Sequence, residues 1–138
     1  MKKILVMIFV AVSAISMSGC ISFNSLADAK NSQGDGEMRS YSVAKGEVWR
    51  KTITIINQSK LDLVSQDSDR GLILAQQPMS PLSMTAGQNV AVFITERNGK
   101  TRVEVVGKKA MGSVEFVSRN WEKHLLKELD KSLNLARR

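Results

Sequence analysis

A single cysteine, Cys20, cannot close a disulfide within the chain, so nothing covalent staples the fold. Histidine also occurs once, as His124 on the polar side of an expected helix, and a lone exposed imidazole gives no nucleophile–base pair for a catalytic triad. It reads as an ordinary solvated side chain. Clusters of zinc ligands and glycine-rich phosphate loops are missing, so no metal or cofactor is expected and no residue is given a catalytic role. Asp67 and Asp69 share a turn, where aspartate is favoured for hydrogen bonds to its own backbone rather than for acid–base work. Aromatic residues make up only 5% of the chain, too few to interleave a basic surface with stacking platforms for nucleic acid. Enzymes and nucleic-acid binders are therefore the least expected classes.

What the sequence does have begins at its N-terminus. Lys2 and Lys3 make a basic start, residues 4–12 are almost unbroken apolar sequence, and Ser13, Ser16, Ser18 and Gly19 thin it into small residues before Cys20. That is the order of a secretory signal, and the run weakens well short of the roughly 20 apolar residues of a membrane-spanning helix. Met17-Ser18-Gly19-Cys20 resembles a bacterial lipobox, with Met17 where leucine is commoner. The resemblance implies a signal peptide over residues 1–19 and acylation of Cys20. Ile21 in place of aspartate at the second mature position implies sorting to the outer membrane, facing the periplasm. Several acyl chains would anchor the protein stably, since each buried methylene contributes about 0.8 kcal/mol. The alternative is an ordinary cleaved signal followed by a stray thiol.

Residues 20–37 are rich in Ser, Asn, Asp, Gly and Ala and are read as a flexible tether, having too few apolar groups to offset the entropy of ordering. Phe23 and Leu26 are the side chains within it that would reach a headgroup layer, an inert linker being the plainer reading. Residues 38–138 are enough for one domain. The formal charge of +7 falls to +5 without Lys2 and Lys3, and all of that excess lies beyond residue 95.

Within the domain, residues 38–44 suit a short strand. Val48, Trp49, Thr52, Ile53 and Ile56 make one stripe of a helix over 46–58, with Trp49 a core anchor. Two strands, 61–66 and 71–77, flank a turn over 67–70, and pairing Gln66 with Gly71 sets Leu63 against Leu74 on one face and Val64 against Ile73 on the other. Asn98-Gly99 is a favoured two-residue turn between alternating strands 89–97 and 100–108. Its register places Ile94 against Val103 and Val92 against Val105, facing one core. A helix over 119–135, with Ser118 as a possible cap, buries Trp121, Leu125, Leu126, Leu129 and Leu133. The expected fold is α+β: an antiparallel sheet of four to five strands with two helices on one face, in the order β-α-β-β-β-β-α.

Between residues 41 and 133 the chain resembles small bacterial lipoprotein domains, including those of the C subunit of the outer-membrane β-barrel assembly machinery. The resembling features are Val48-Trp49, Asp69-Arg70-Gly71 before a strand, the Asn98-Gly99 hairpin and the leucine-rich last helix. That subunit has two such domains and a long unstructured lead, against one domain and a short tether here. The resemblance implies a non-enzymatic envelope lipoprotein, without implying membership of that machine.

Surfaces carry the remaining expectations. Val64, Ile73, Ala75, Phe93 and Val106 fall on the outer face of the sheet, and so apolar a stripe requires a cover: a partner, a second copy, or the strand 38–44 in another register. Met79, Met84 and Met111 gather at one end of the sheet, suited to plain loop packing, to adaptable partner or lipid contact, or to Cu(I). Val64, Ile73, Phe93, Val106 and these methionines are the candidate partner-binding residues. Arg97, Lys100, Arg102, Lys108 and Lys109 are candidates for anion binding, weighed against an ordinary solvated basic surface. The leading functional reading is a tethered adaptor that binds another envelope protein or itself. The others are a carrier holding an apolar ligand between sheet and helices, which needs an unfilled cavity, and a binder of anionic envelope lipid or polymer.

Overall fold

Asn98 and Gly99 both adopt positive φ, 54° and 71°, the geometry of a type I′ turn whose twist matches that of the strands it joins. The hairpin it closes consists of β4 (Asn89–Arg97) and β5 (Lys100–Lys108), in the register expected from sequence: Ile94 faces Val103 and Val92 faces Val105. The computed structural model describes residues 21–78, 87–109 and 119–135. The other elements, in chain order, are α1 (Ile21–Asn31), β1 (Glu37–Tyr41), α2 (Lys45–Gln58), β2 (Asp62–Asp67), β3 (Leu72–Gln76) and α3 (Trp121–Leu135). All strand pairs are antiparallel, in the order β1-β5-β4-β3-β2. β2 to β5 form a meander, and α2 carries the chain from one edge of the sheet to the other. The fold is α+β, as expected, with five strands.

α2 and α3 lie side by side on one sheet face. Val48, Ile55 and Ile56 of α2 and Trp121, Leu125, Leu126, Leu129 and Leu133 of α3 close on Ile73, Ala75, Val90, Val92, Ile94, Val103 and Val105. The leucine stripe of α3 is buried as expected. In α2 the buried face is rotated slightly: Ile55 joins Val48, Thr52 and Ile56, while Trp49 and Ile53 pack at its margin. Thr52 bonds the Val48 carbonyl one turn back, which lets a hydroxyl sit in the core. α2 ends in a Schellman arrangement: Leu61 N–H reaches the Ile56 carbonyl and Lys60 N–H the Asn57 carbonyl, with Lys60 at φ 59°. α3 is capped by Asn120, whose Oδ1 accepts from Lys123 N–H at 3.0 Å. Ser118, the expected cap, lies outside the described residues. β1 is tied to α3 by side chains: Tyr41 donates to Asp130 at 2.8 Å, and Arg39 pairs with the other carboxylate oxygen.

Two expectations are corrected. The turn after β2 includes Gly71, at φ +66°, so β3 begins one residue later than the simple pairing requires. The turn pairs Asp67 with Leu72, two residues off the simple register, and a bulge between Leu63 and Ser65 moves it back by one, so that Leu63 faces Ala75 while Ser65 faces Leu74. Ile73 and Ala75 therefore point into the helix-covered core, and Leu72 and Leu74 point outward. The second correction is the tether. Residues 21–31 form α1, which lies on the outer sheet face, so helices cover both faces rather than one.

Gly71 is required twice over, since a Cβ there would also lie 2.0 Å from the Ile94 carbonyl oxygen. Gly71→Ala is expected to cost roughly 2–4 kcal/mol in urea unfolding, whereas Gly99→Ala, at similar φ but facing open space, costs about 1 kcal/mol. Equal costs would contradict this placement. Tyr41, the only tyrosine, has its pKa raised by burial, by its hydrogen bond to Asp130 and by that carboxylate's charge, with Arg39 opposing. Its contribution to stability is complete below the ordinary value of about 10 and is lost as pH rises through the folded value. Ultraviolet titration of the folded protein should show no tyrosinate near the ordinary pKa, and Asp130→Asn should bring ionisation down toward it.

Candidate functional site

The outer sheet face is built by alternation along the strands. Leu72 and Leu74 of β3, Ala91 and Phe93 of β4 and Val106 of β5 form a second apolar cluster, and α1 closes it with Ala29, fully buried, and Leu26. After α1 the chain turns through residues 32–36, with Ser32 Oγ bonded to the Asp28 carbonyl and Gly34 at φ 104°. Gly36 passes so close to β5 that a Cβ would lie 2.2 Å from the Val105 carbonyl oxygen.

Glu104 fixes this turn. It is a buried carboxylate on the outer face, and it accepts from the backbone N–H groups of Gly34 at 2.5 Å and Gly36 at 3.1 Å. Charge-assisted bonds to two amides offset the cost of removing the carboxylate from water. Beside it, Gln33, Gly34, Phe93, Thr95, Arg102 and Glu104 line a shallow concavity of about 190 Å³. Sequence alternation marks Glu104 as a lone acid among Val103, Val105 and Val106, but its partners come from the segment read as a tether.

The candidate residues fall as follows. Phe93 and Val106 are on the outer face, as expected, but beneath α1 and nearly inaccessible. Ile73 is in the opposite core. α1 covers Phe93 and Val106, whereas α2 and α3 cover Ile73. Val64 remains exposed, at 48%, beside the bulge of edge strand β2. Met79, Met84 and Met111 lie outside the described residues. Among the anion candidates, Arg97, Lys100, Arg102 and Lys108 all fall on the outer face of the hairpin, by register. Arg102 rests against the Met38 thioether, and Lys108 is 3.8 Å from Asp35, a half-exposed pair worth little in water. Arg97 and Lys100 flank the exposed hairpin tip, and Lys109 follows β5.

Elsewhere His124 is more engaged than expected. Its Nε2 lies 3.3 Å from Ser59 Oγ, and its ring meets the Trp121 edge at 5.6 Å. Burial first, and then Arg119, lower its pKa, with Lys131 and Lys127 adding to the fall and Glu128 opposing it. Among the described residues no carboxylate bonds the other ring nitrogen, so the serine–histidine pair lacks the third member of a triad.

The interior between sheet, α2 and α3 is filled. The space left by Thr52, Ile55, Val92, Val103, Val105 and the α3 leucines is about 10 Å³, roughly one water and far below a ligand pocket. Among the described residues no three potential metal-binding side chains gather, and no helix is long and apolar enough to cross a membrane. No protein-family model matches the chain, and comparison with curated proteins gives no significant match.

Glu104→Ala is expected to leave two amides without their acceptor and to cost about 1–3 kcal/mol. Hydrogen exchange should then accelerate over residues 21–36 and leave α3 protected. Uniform loss of protection would show that Glu104 supports the whole fold rather than the α1 connection.

Proposed function

We propose that the chain is an outer-membrane lipoprotein, anchored through acylated Cys20 and facing the periplasm, whose domain is a non-enzymatic module for binding another envelope protein. The observation that carries this reading is the filled interior. With only about 10 Å³ between sheet and helices, a ligand has no room there, and the domain acts through its surface. The lipobox-like Met17-Ser18-Gly19-Cys20 supports the anchor, and the resemblance to envelope lipoprotein domains supports the class.

The anchor and the domain are also closely coupled. α1 begins at Ile21, directly after Cys20, and is packed on the sheet through Leu26 and Ala29. A domain joined in this way stays close to the bilayer and presents fixed faces to its surroundings. Val64, exposed on edge strand β2, is the apolar side chain available to a partner along that edge. A second reading, binding of anionic lipid or polymer, is favoured by the alignment of Arg97, Lys100 and Arg102 on one face of the hairpin.

Metabolic labelling with a fatty acid tests the anchor: label should enter the wild-type chain and be absent from Cys20→Ser, which should leave the membrane fraction. A photo-crosslinking residue at position 64 tests the module. It should give one discrete adduct in cells, with none from position 54, an exposed site on α2. Labelling without a discrete adduct would leave the anchor standing and remove the β2 edge as the partner surface.

A further inference from the structure

The groove between the end of α2 and the start of α3 gathers several side chains capable of donating hydrogen bonds. Ser59, Lys60, Arg119 and His124 line one concavity of about 360 Å³, floored by Ile55 and bordered by Gln58 and Glu128. They come from two elements far apart in sequence, so only the packing of α2 against α3 brings them together.

Trp121 organises one wall. It is 4% exposed, and its indole N–H donates to Gln77 Oε1 at 3.0 Å, which fixes the ring. The Arg119 guanidinium sits over that ring, 5.2 Å from its centroid, and the His124 ring stands against it at 78°. Two donors are thus held by one anchored aromatic. Ser59, the C-cap of α2, faces His124 across the groove at 3.3 Å. Lys60 follows in the left-handed conformation at φ 59°, where glycine would be the less strained residue, and lines the groove beside Ser59.

The charge around His124 is predominantly positive. Arg119, Lys127 and Lys131 all act on it, and the one opposing carboxylate, Glu128, is bonded to Lys131 at 2.7 Å. From α2 the facing groups are Lys60, charged, and Ser59 and Gln58, neutral. A groove with this field attracts anions, and its donors converge from two sides as a tetrahedral oxyanion requires.

We propose that this groove binds a phosphate group, with Ser59, Lys60, Arg119 and His124 as its donors. The phosphate belongs either to a small soluble phosphate ester or to a lipid headgroup, since the chemistry of recognition is the same. An anion in the groove favours imidazolium, so binding raises the His124 pKa and tightens as pH falls through it. The site is separate from the β2 edge, and its test is independent of the partner experiment.

His124 is the only histidine, so its Hε1 proton gives one resonance of its kind in a spectrum of the folded protein. Titration with inorganic phosphate at constant ionic strength should move that resonance saturably and raise the His124 pKa. Arg119→Gln, at an exposed position, should weaken binding about tenfold with amide dispersion unchanged, and Ser59→Ala should weaken it less. Lys100→Gln, remote on the hairpin tip, should have no effect. Vesicles containing phosphatidylglycerol separate the two sources: broadening that Arg119→Gln abolishes supports a headgroup, and a response to phosphate alone supports a soluble ester. A shift reproduced by chloride, or one unchanged in Arg119→Gln, would overturn the site.

Discussion

The β4–β5 hairpin is apolar on both faces, and the rest of the fold follows from the need to cover each. Val90, Val92, Ile94, Val103 and Val105 face one way, and Ala91, Phe93 and Val106 face the other. A sheet of this kind cannot leave one side to water, as many antiparallel sheets do. α2 and α3 cover the larger face with two full apolar stripes. α1 covers the smaller one, through Leu26 and Ala29 among its described side chains, and the Glu104 carboxylate secures the returning chain. Among its described side chains α1 contributes Leu26 and Ala29 to this cover, and Glu104 and the Lys108–Asp35 pair hold the turn that follows it.

The covering of both faces bears on the proposed function, and the surface that remains is divided. The hairpin tip carries Arg97 and Lys100, the β2 edge offers Val64, and the α2–α3 groove holds the Ser59, Lys60, Arg119 and His124 donors. In the proposed lipoprotein, α1 stands between the acylated cysteine and the sheet, so the outer face is already occupied and partner contact falls to the edges and the helical side. Phe93 and Val106 of the expected outer stripe are covered from within the chain, and Val64 stays exposed.

The parts legible in sequence were those fixed by local periodicity and turn chemistry. Asn98-Gly99 sets the β4–β5 register without help from elsewhere, and the heptad-like leucines of α3 identify its buried face. The faces of β3 are not legible in sequence because of the bulge at Val64. The turn through Gly71 moves the register by two residues and leaves the faces unchanged, whereas the bulge moves it by one and exchanges them, and neither leaves a hydrophobic signature. α1 is not legible in sequence because residues 21–31 are mostly polar or small and carry no marked apolar stripe, so that packing on the sheet supports the helix. Glu104 was visible as an acid in an apolar strand, but the Gly34 and Gly36 amides that hold it became apparent only once α1 was in place. The groove around His124 was hidden for a similar reason, since Ser59 and Arg119 meet only through the packing of two helices.

The central claim is that the chain covers its own outer sheet face. It is tested most directly by nuclear Overhauser contacts in the protein carrying Cys20→Ser, which cannot be acylated. The account predicts cross-peaks from the Ala29 methyl to the Phe93 ring and the Val106 methyls, with helical carbon shifts through residues 26–31. Random-coil shifts over those residues, with no contact between Ala29 and the sheet, would contradict it and return the outer face to the surface.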